Sequence, residues 1–126
     1  MTRTAQGEIA ATHDRRAGGL DAIVRDLREY GFIHEDIAHA TGASLRTVAT
    51  WSAGGTATRS HEDRLMDLYR LSGLVAESIV ANQVGLWFRT PNRFLDWHKP
   101  LDLLHQGGSV LRIEGVIEGL NAGYAT

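Results

Sequence analysis

Gly42 separates two short segments of helical apolar spacing, and this junction constrains the fold more than any other part of the chain. From Ile37 the sequence runs I-A-H-A-T-G-A-S-L-R-T-V-A-T-W, ending at Trp51. Two short helices meeting at a tight turn need three things: a small residue where they cross, a glycine that accepts a left-handed conformation, and apolar side chains that fix the angle. Ala38, Gly42 and the trio Ile37, Val48 and Trp51 supply them at helix-turn-helix spacing. An ordinary helical hairpin uses the same sterics, so the pattern speaks to geometry before it speaks to use.

The rest of the chain repeats the helical theme. Leu20, Ile23, Val24 and Leu27 form one face of a helix that Gly31 stops. A second helix is predicted over 34–41, with Glu35 and Asp36 in its first turn, and a third over 45–52, capped by Ser44. Ser60 and Asp63 resemble a capping box opening a long helix to about Ala81. Its buried stripe is Leu65, Leu68, Tyr69, Ser72, Val75, Ala76 and Ile79, and Gly73 within it marks a close helix contact. Residues 83–89 form one or two apolar turns. Thr90-Pro91 reads as a cap followed by proline at the first helical position. Pro100 starts a helix over 101–106, with Asn92 and Asp102 available to bond exposed backbone at these starts. Ser109 caps a last helix carrying Val110, Ile113, Val116, Ile117 and Leu120 on one face. No strand-like alternation occurs. The expected fold is all-α: an N-terminal helix-turn-helix bundle, a long connecting helix and a C-terminal module of short helices. Residues 1–17 read as a loose arm, 18–59 as the helix-turn-helix region, and 60–126 as the long helix plus the C-terminal module.

With 13 Lys+Arg against 15 Asp+Glu, net charge gives no hint of a polyanionic partner. Local distribution tolerates one: residues 37–60 hold Arg46, Arg59 and no acid, a pattern that with two cations also arises by chance. If DNA binds, helix 45–52 enters the major groove with its N-terminal part leading. Arg46 is then the side chain able to contact a guanine edge bidentately, and Ser44, Thr47 and Thr50 suit phosphate or base contacts. Arg59, beyond the Gly54-Gly55 loop, reaches a phosphate. So few cations make specific affinity depend on a dimer or larger assembly.

Several classes are excluded. The chain has no cysteine, hence no disulfide framework or thiolate site. No apolar run reaches membrane-spanning length and no signal peptide is evident, so the expected location is the cytoplasm. Six histidines invite a metal search, but His34-Glu35 and His61-Glu62 lead to Ala38 and Leu65 where a second histidine would be needed. Pro100 interrupts the face that His98 and His105 would share. No catalytic cluster, metal site or cofactor-binding loop is expected, and the chain reads as a binding protein rather than an enzyme.

Two further stretches carry a resemblance. W-F-R-T-P-N-R-F-L begins at Trp87 and K-P-L-D-L-L at Lys99, in that order after the long helix. Together with the helix-turn-helix they make residues 20–124 similar to the Xre/MbcA/ParS family of type II antitoxins. The resemblance implies a RES-domain toxin from the same operon as partner, similar to ADP-ribosyltransferases and acting on or with NAD. It implies toxin binding through Trp87, Arg89, Pro91, Asn92, Arg93, Lys99, Pro100, Glu114 and Tyr124. Residues 109–126 would cover the toxin's NAD cleft, and the helix-turn-helix would bind operator DNA and repress the operon. Partners are therefore toxin, operator DNA and further copies of the chain, with no membrane. The residues themselves also suit core packing: Trp87, Phe88, Leu95, Leu103 and Leu104 are apolar enough to bury, and Gly107, Gly108, Gly115, Gly119 and Gly123 weaken the last helix. The tail beyond Leu120 reads as small and flexible apart from Tyr124, its one large anchor. The competing reading is a stand-alone helix-turn-helix repressor whose C-terminal part dimerises.

Overall fold

The structure is a computed structural model and describes residues 19–123. Seven α-helices and two 3-10 turns make up the described chain: α1 Asp21–Glu29, α2 His34–Thr41, α3 Leu45–Ser52, α4 Arg59–Val75, a 3-10 turn Ala81–Gln83, α5 Val84–Arg89, a 3-10 turn Arg93–Leu95, α6 Pro100–Gln106 and α7 Val110–Asn121. The one extended pairing among them is an isolated antiparallel bridge between Asn92 and His98. The all-α expectation holds. The loose arm and Tyr124 lie outside the described residues.

The first three helices form as their patterns predict. Ile23, Val24 and Leu27 of α1 are buried, and Gly31 leaves the helix at φ 94°. At the start of α2 the Asp36 carboxylate accepts the Ile33 backbone N–H at 2.9 Å. Gly42 ends α2 at φ 80°, the left-handed turn the junction requires. Ser44 Oγ accepts the Thr47 N–H at 3.1 Å and so caps α3. Ile37, Val48 and Trp51 are fully buried, and Ala38 is half-buried against them.

The expected boundaries shift in the middle of the chain. Thr58, not Ser60, caps α4: its Oγ1 accepts the His61 N–H at 3.2 Å. Asp63 turns instead toward Arg59, one helical turn back, at 3.9 Å. The helix stops at Val75 rather than near Ala81, because tight turn bonds from Glu77 N to Leu74 O and Ser78 N to Val75 O take over. Leu65, Leu68, Ser72 and Val75 are buried as expected, together with Leu71, which was not on the stripe. Gly73 makes no close helix contact, since a Cβ there would meet only the Tyr30 hydroxyl at 3.9 Å. The required glycine is Gly85. A Cβ on it would sit 2.5 Å from Gly31 O, so α5 rests directly on the turn that ends α1, and Gly85 N–H bonds Tyr30 O at 2.8 Å.

Thr90 and Pro91 do not start a helix. Thr90 closes α5 in extended conformation, donating its hydroxyl to Leu86 O at 2.6 Å. The cap role passes to Asn92, whose Oδ1 accepts the Phe94 N–H at 2.8 Å. Pro100 does open α6. Asp102 does not bond the backbone there; its carboxylate takes His39 Nε2 at 2.9 Å. Ser109 occupies the position before α7 without a side-chain cap bond, and α7 still runs unbroken through Gly115 and Gly119 with Ile113 and Ile117 buried. Burial of that face outweighs the poor propensity of glycine.

α4 touches α1, α2, α5 and α7, and α6 lies along α2. One apolar core therefore runs from Leu20 through Trp51, Leu68, Phe88 and Leu101 to Ile117. The α2–α6 seam also carries a polar clasp. The imidazoles of His39 and His105 stack at 4.3 Å, 8° from parallel. His105 Nδ1 lies 2.9 Å from His39 O, and because a carbonyl only accepts, that nitrogen carries the proton.

Candidate functional site

The helix-turn-helix presents α3 to solvent. Ser44, Arg46 and Thr50 are exposed and Thr47 is half-exposed. Two of the hydroxyls are already engaged locally. Ser44 Oγ donates to Thr47 Oγ1 at 3.0 Å while capping the helix, and Thr50 Oγ1 donates to Arg46 O at 3.1 Å. Thr47 keeps its own proton to donate and Thr50 keeps its lone pairs to accept. Arg46 carries no ion pair among the described residues. Beyond α3 the loop folds back so tightly that a Cβ on Gly55 would lie 2.6 Å from Thr50 Cγ2. That turn leads to Arg59, whose side chain is 92% exposed and only loosely paired with Asp63. Arg46 is thus an exposed cation without an ion pair among the described residues, in a stretch of sequence, 37–60, that contains no acid, and Arg59 closes that stretch with Asp63 one turn on.

The second group of expected residues divides by function. Trp87, Pro91 and Asn92 come together with Ile79, Gln83, Leu86 and Thr90 around an open groove of about 280 Å³. Trp87 rests edge-on against Phe88, which in turn packs on Phe32 with ring centroids 5.3 Å apart. Asn92 is itself buried, its side chain spent on the cap. Arg93 and Lys99 are exposed, and the Arg93 guanidinium lies over the Phe94 ring at 5.3 Å.

Three expected contacts turn inward. Arg89 donates to Asp36 at 2.6 Å and to Gly31 O at 3.2 Å, bracing α5 against the start of α2. Pro100 is buried at the head of α6. Glu114 is paired with Arg70 of α4 at 3.2 Å. In the free chain all three therefore also brace the fold.

The surface carries apolar side chains that spacing did not single out. Val80, Leu86, Phe94, Trp97 and Leu111 are all large and exposed, the last at 84%. Periodicity cannot find such residues, because they sit in turns or on the outer side of helices. The available signal was Trp97 itself, an indole in the polar run Asp96-Trp97-His98-Lys99. Among the described residues no group of three or more His, Asp or Glu side chains could hold a metal ion. No described helix is long and apolar enough to cross a membrane.

No protein-family model matches the chain. The chain is 31% identical over 98 residues to the mycobacterial cidal antitoxin MbcA of Mycobacterium tuberculosis, spanning 77% of this chain and 86% of that protein. The MbcA of Mycobacterium bovis matches to the same extent. A second M. tuberculosis protein, described as a probable mycobacterial cidal antitoxin, is 34% identical over 96 residues, 76% of this chain and 82% of its own. Among solved structures, the crystal structure of the M. tuberculosis MbcT–MbcA toxin–antitoxin complex contains a chain that superposes with a TM-score of 0.72 at 29% identity. The match covers 85% of this chain and 97% of that one.

Proposed function

The chain belongs to the family of mycobacterial cidal antitoxins, and from that premise we propose that it neutralises a RES-domain toxin encoded in the same operon and represses that operon through its helix-turn-helix. The family is one of antitoxins, so the chain acts by binding and not by catalysing a reaction. In this reading residues 60–126 dock on the toxin, 18–59 bind operator DNA, and both events take place in the cytoplasm. The toxin consumes NAD or transfers ADP-ribose from it, and residues 109–126 cover its NAD cleft with Tyr124 as anchor.

The observation that carries the docking half is the groove between Ile79 and Asn92, together with the five large apolar side chains exposed over 80–111. A pad of short helices presents such a surface well and encloses a substrate poorly. The DNA half is supported by the exposure of Ser44, Arg46 and Thr50 on α3, within a stretch of sequence, 37–60, that contains no acid.

Co-expression with the neighbouring RES-domain protein tests the first half. A stable complex that no longer consumes NAD is expected; absence of a complex favours a stand-alone repressor. Truncation after Leu120 separates docking from blocking, and is expected to retain binding while releasing NAD consumption. If the truncated chain still inhibits fully, the tail is not the blocking element. For DNA, a dimer or larger assembly is expected to footprint a pseudo-palindrome with half-sites about 10 bp apart. Arg46→Ala is expected to cost roughly 1–3 kcal/mol on the specific site alone. Equal loss on random DNA would make Arg46 a phosphate contact instead.

A further inference from the structure

Between the second 3-10 turn and α6 the chain does something costly. Asp96 and Trp97 are consecutive non-glycine residues with positive φ, 55° and 66°, and among the described residues no other non-glycine position has one. Aspartate tolerates the left-handed region; a bulky tryptophan does not, and glycine is the residue that favours it. The loop is held there from several sides. Trp97 N–H bonds Asn92 O at 2.9 Å, His98 N–H bonds Leu95 O at 3.0 Å, and Asn92 N–H bonds His98 O at 3.0 Å. Arg112 of α7 clamps the Asp96 carboxylate at 2.6 Å. The strain brings no burial in return: the Trp97 residue is 68% exposed and its ring makes no aromatic contact among the described residues.

A strained backbone that the surrounding structure over-determines marks a site of function more often than an accident of packing. Tryptophan is also the side chain most enriched at binding hot spots. The charges around the loop indicate what it meets. Asp96 is paired with Arg112 and Asp102 accepts a hydrogen bond from His39, whereas Arg93 and Lys99, flanking the loop, are exposed and make no ion pair among the described residues. The loop therefore offers an apolar knob with a cationic rim. We propose that Trp97 is the affinity anchor for the toxin, inserting into an apolar slot bordered by carboxylates on the toxin surface. This deepens the antitoxin reading above and rests on it.

The test compares the full-length wild type with Trp97→Gly and Lys99→Glu, each titrated against the RES-domain protein of the same operon by calorimetry. The melting temperature of each free chain is measured alongside. Trp97→Gly is expected to melt a few degrees higher, since it relieves the left-handed strain, and to bind at least about 30-fold more weakly. Lys99→Glu is expected to weaken binding more at low salt than at high salt. Undiminished affinity of Trp97→Gly would overturn the proposal, and so would a lower melting temperature, which would give the indole a role in the fold. A free wild-type dimer that Trp97→Gly dissociates would assign the loop to a second copy and likewise overturn it. Failure of the wild type itself to bind is a separate result and overturns the antitoxin reading as a whole.

Discussion

Arg89 stands inside the motif that resembles a toxin-binding stretch, yet its guanidinium is committed to Asp36 and to Gly31 O. Asp36 is buried and already accepts the Ile33 N–H, so removing the arginine strands a carboxylate that water barely reaches. Arg89→Ala is expected to cost about 2–3 kcal/mol in chemical denaturation, below the full figure for a buried pair because solvent reaches the arginine. A variant of unchanged stability would show that Arg89 is available to a partner after all. Asp67 gives the opposite case. Burial pushes its carboxyl above the usual aspartate range; neighbouring Arg70 pulls it down, and Asp63 and Glu114 push it up further. Its proton is held more tightly in the folded chain than in the unfolded one. The stability contributed by the protonated form is complete below the ordinary value of 3.8 and is lost as pH rises through the folded value. Asp67→Asn is therefore expected to raise the melting temperature at pH 7. The gain should shrink to nothing as pH falls below 4; a pH-independent gain would point to packing instead.

Among the elements, α5 has the least freedom of position. It rests on the α1 turn with Gly85 against Gly31, and the atom a new Cβ would strike is a backbone oxygen, which cannot swing aside. Gly85→Ala is expected to destabilise by about 2–3 kcal/mol, whereas Gly73→Ala, whose Cβ would meet the Tyr30 hydroxyl only at ordinary contact distance, is expected to stabilise α4 slightly. Thermal melts of the two variants check both signs. The pair also shows what the sequence makes legible. Apolar spacing located α1 to α3, α6 and α7, because each buries one stripe and ends at a glycine or a capping residue that acts locally. It did not distinguish Gly73 from Gly85, since what makes Gly85 necessary is a carbonyl far away in sequence. The cap of α4 was missed for a related reason. Thr58 and Ser60 can both cap, and residue type alone does not say that Thr58 is the one whose hydroxyl takes the His61 N–H. Of the candidate site the motif residues were legible as a set, but not their contacts within the chain: Trp87 and Pro91 line the groove, whereas Arg89 and Glu114 also pair with Asp36 and Arg70 and Pro100 is buried, contacts set by residues distant in sequence.

At the scale of the molecule, the region read from sequence as a helix-turn-helix and the region read as a binding module share one core. α2 is covered by α6, and His39 bridges them by stacking on His105 and bonding Asp102. Residues 60–126 made alone would expose the apolar sides of α4 and α6, and are expected to lack a cooperative thermal transition. A sharp two-state melt of that fragment would show the seam to be dispensable. The intact chain is expected to melt in a single step followed equally by far-UV circular dichroism and by buried Trp51. Halves that melt in one step share a single lifetime. If the proposed function holds, one unfolding event, or one cut by a protease that waits for it, frees the toxin and the promoter together. Loss of the antitoxin would then be a single clock with two hands: the cell could not release the poison without also beginning to make the remedy.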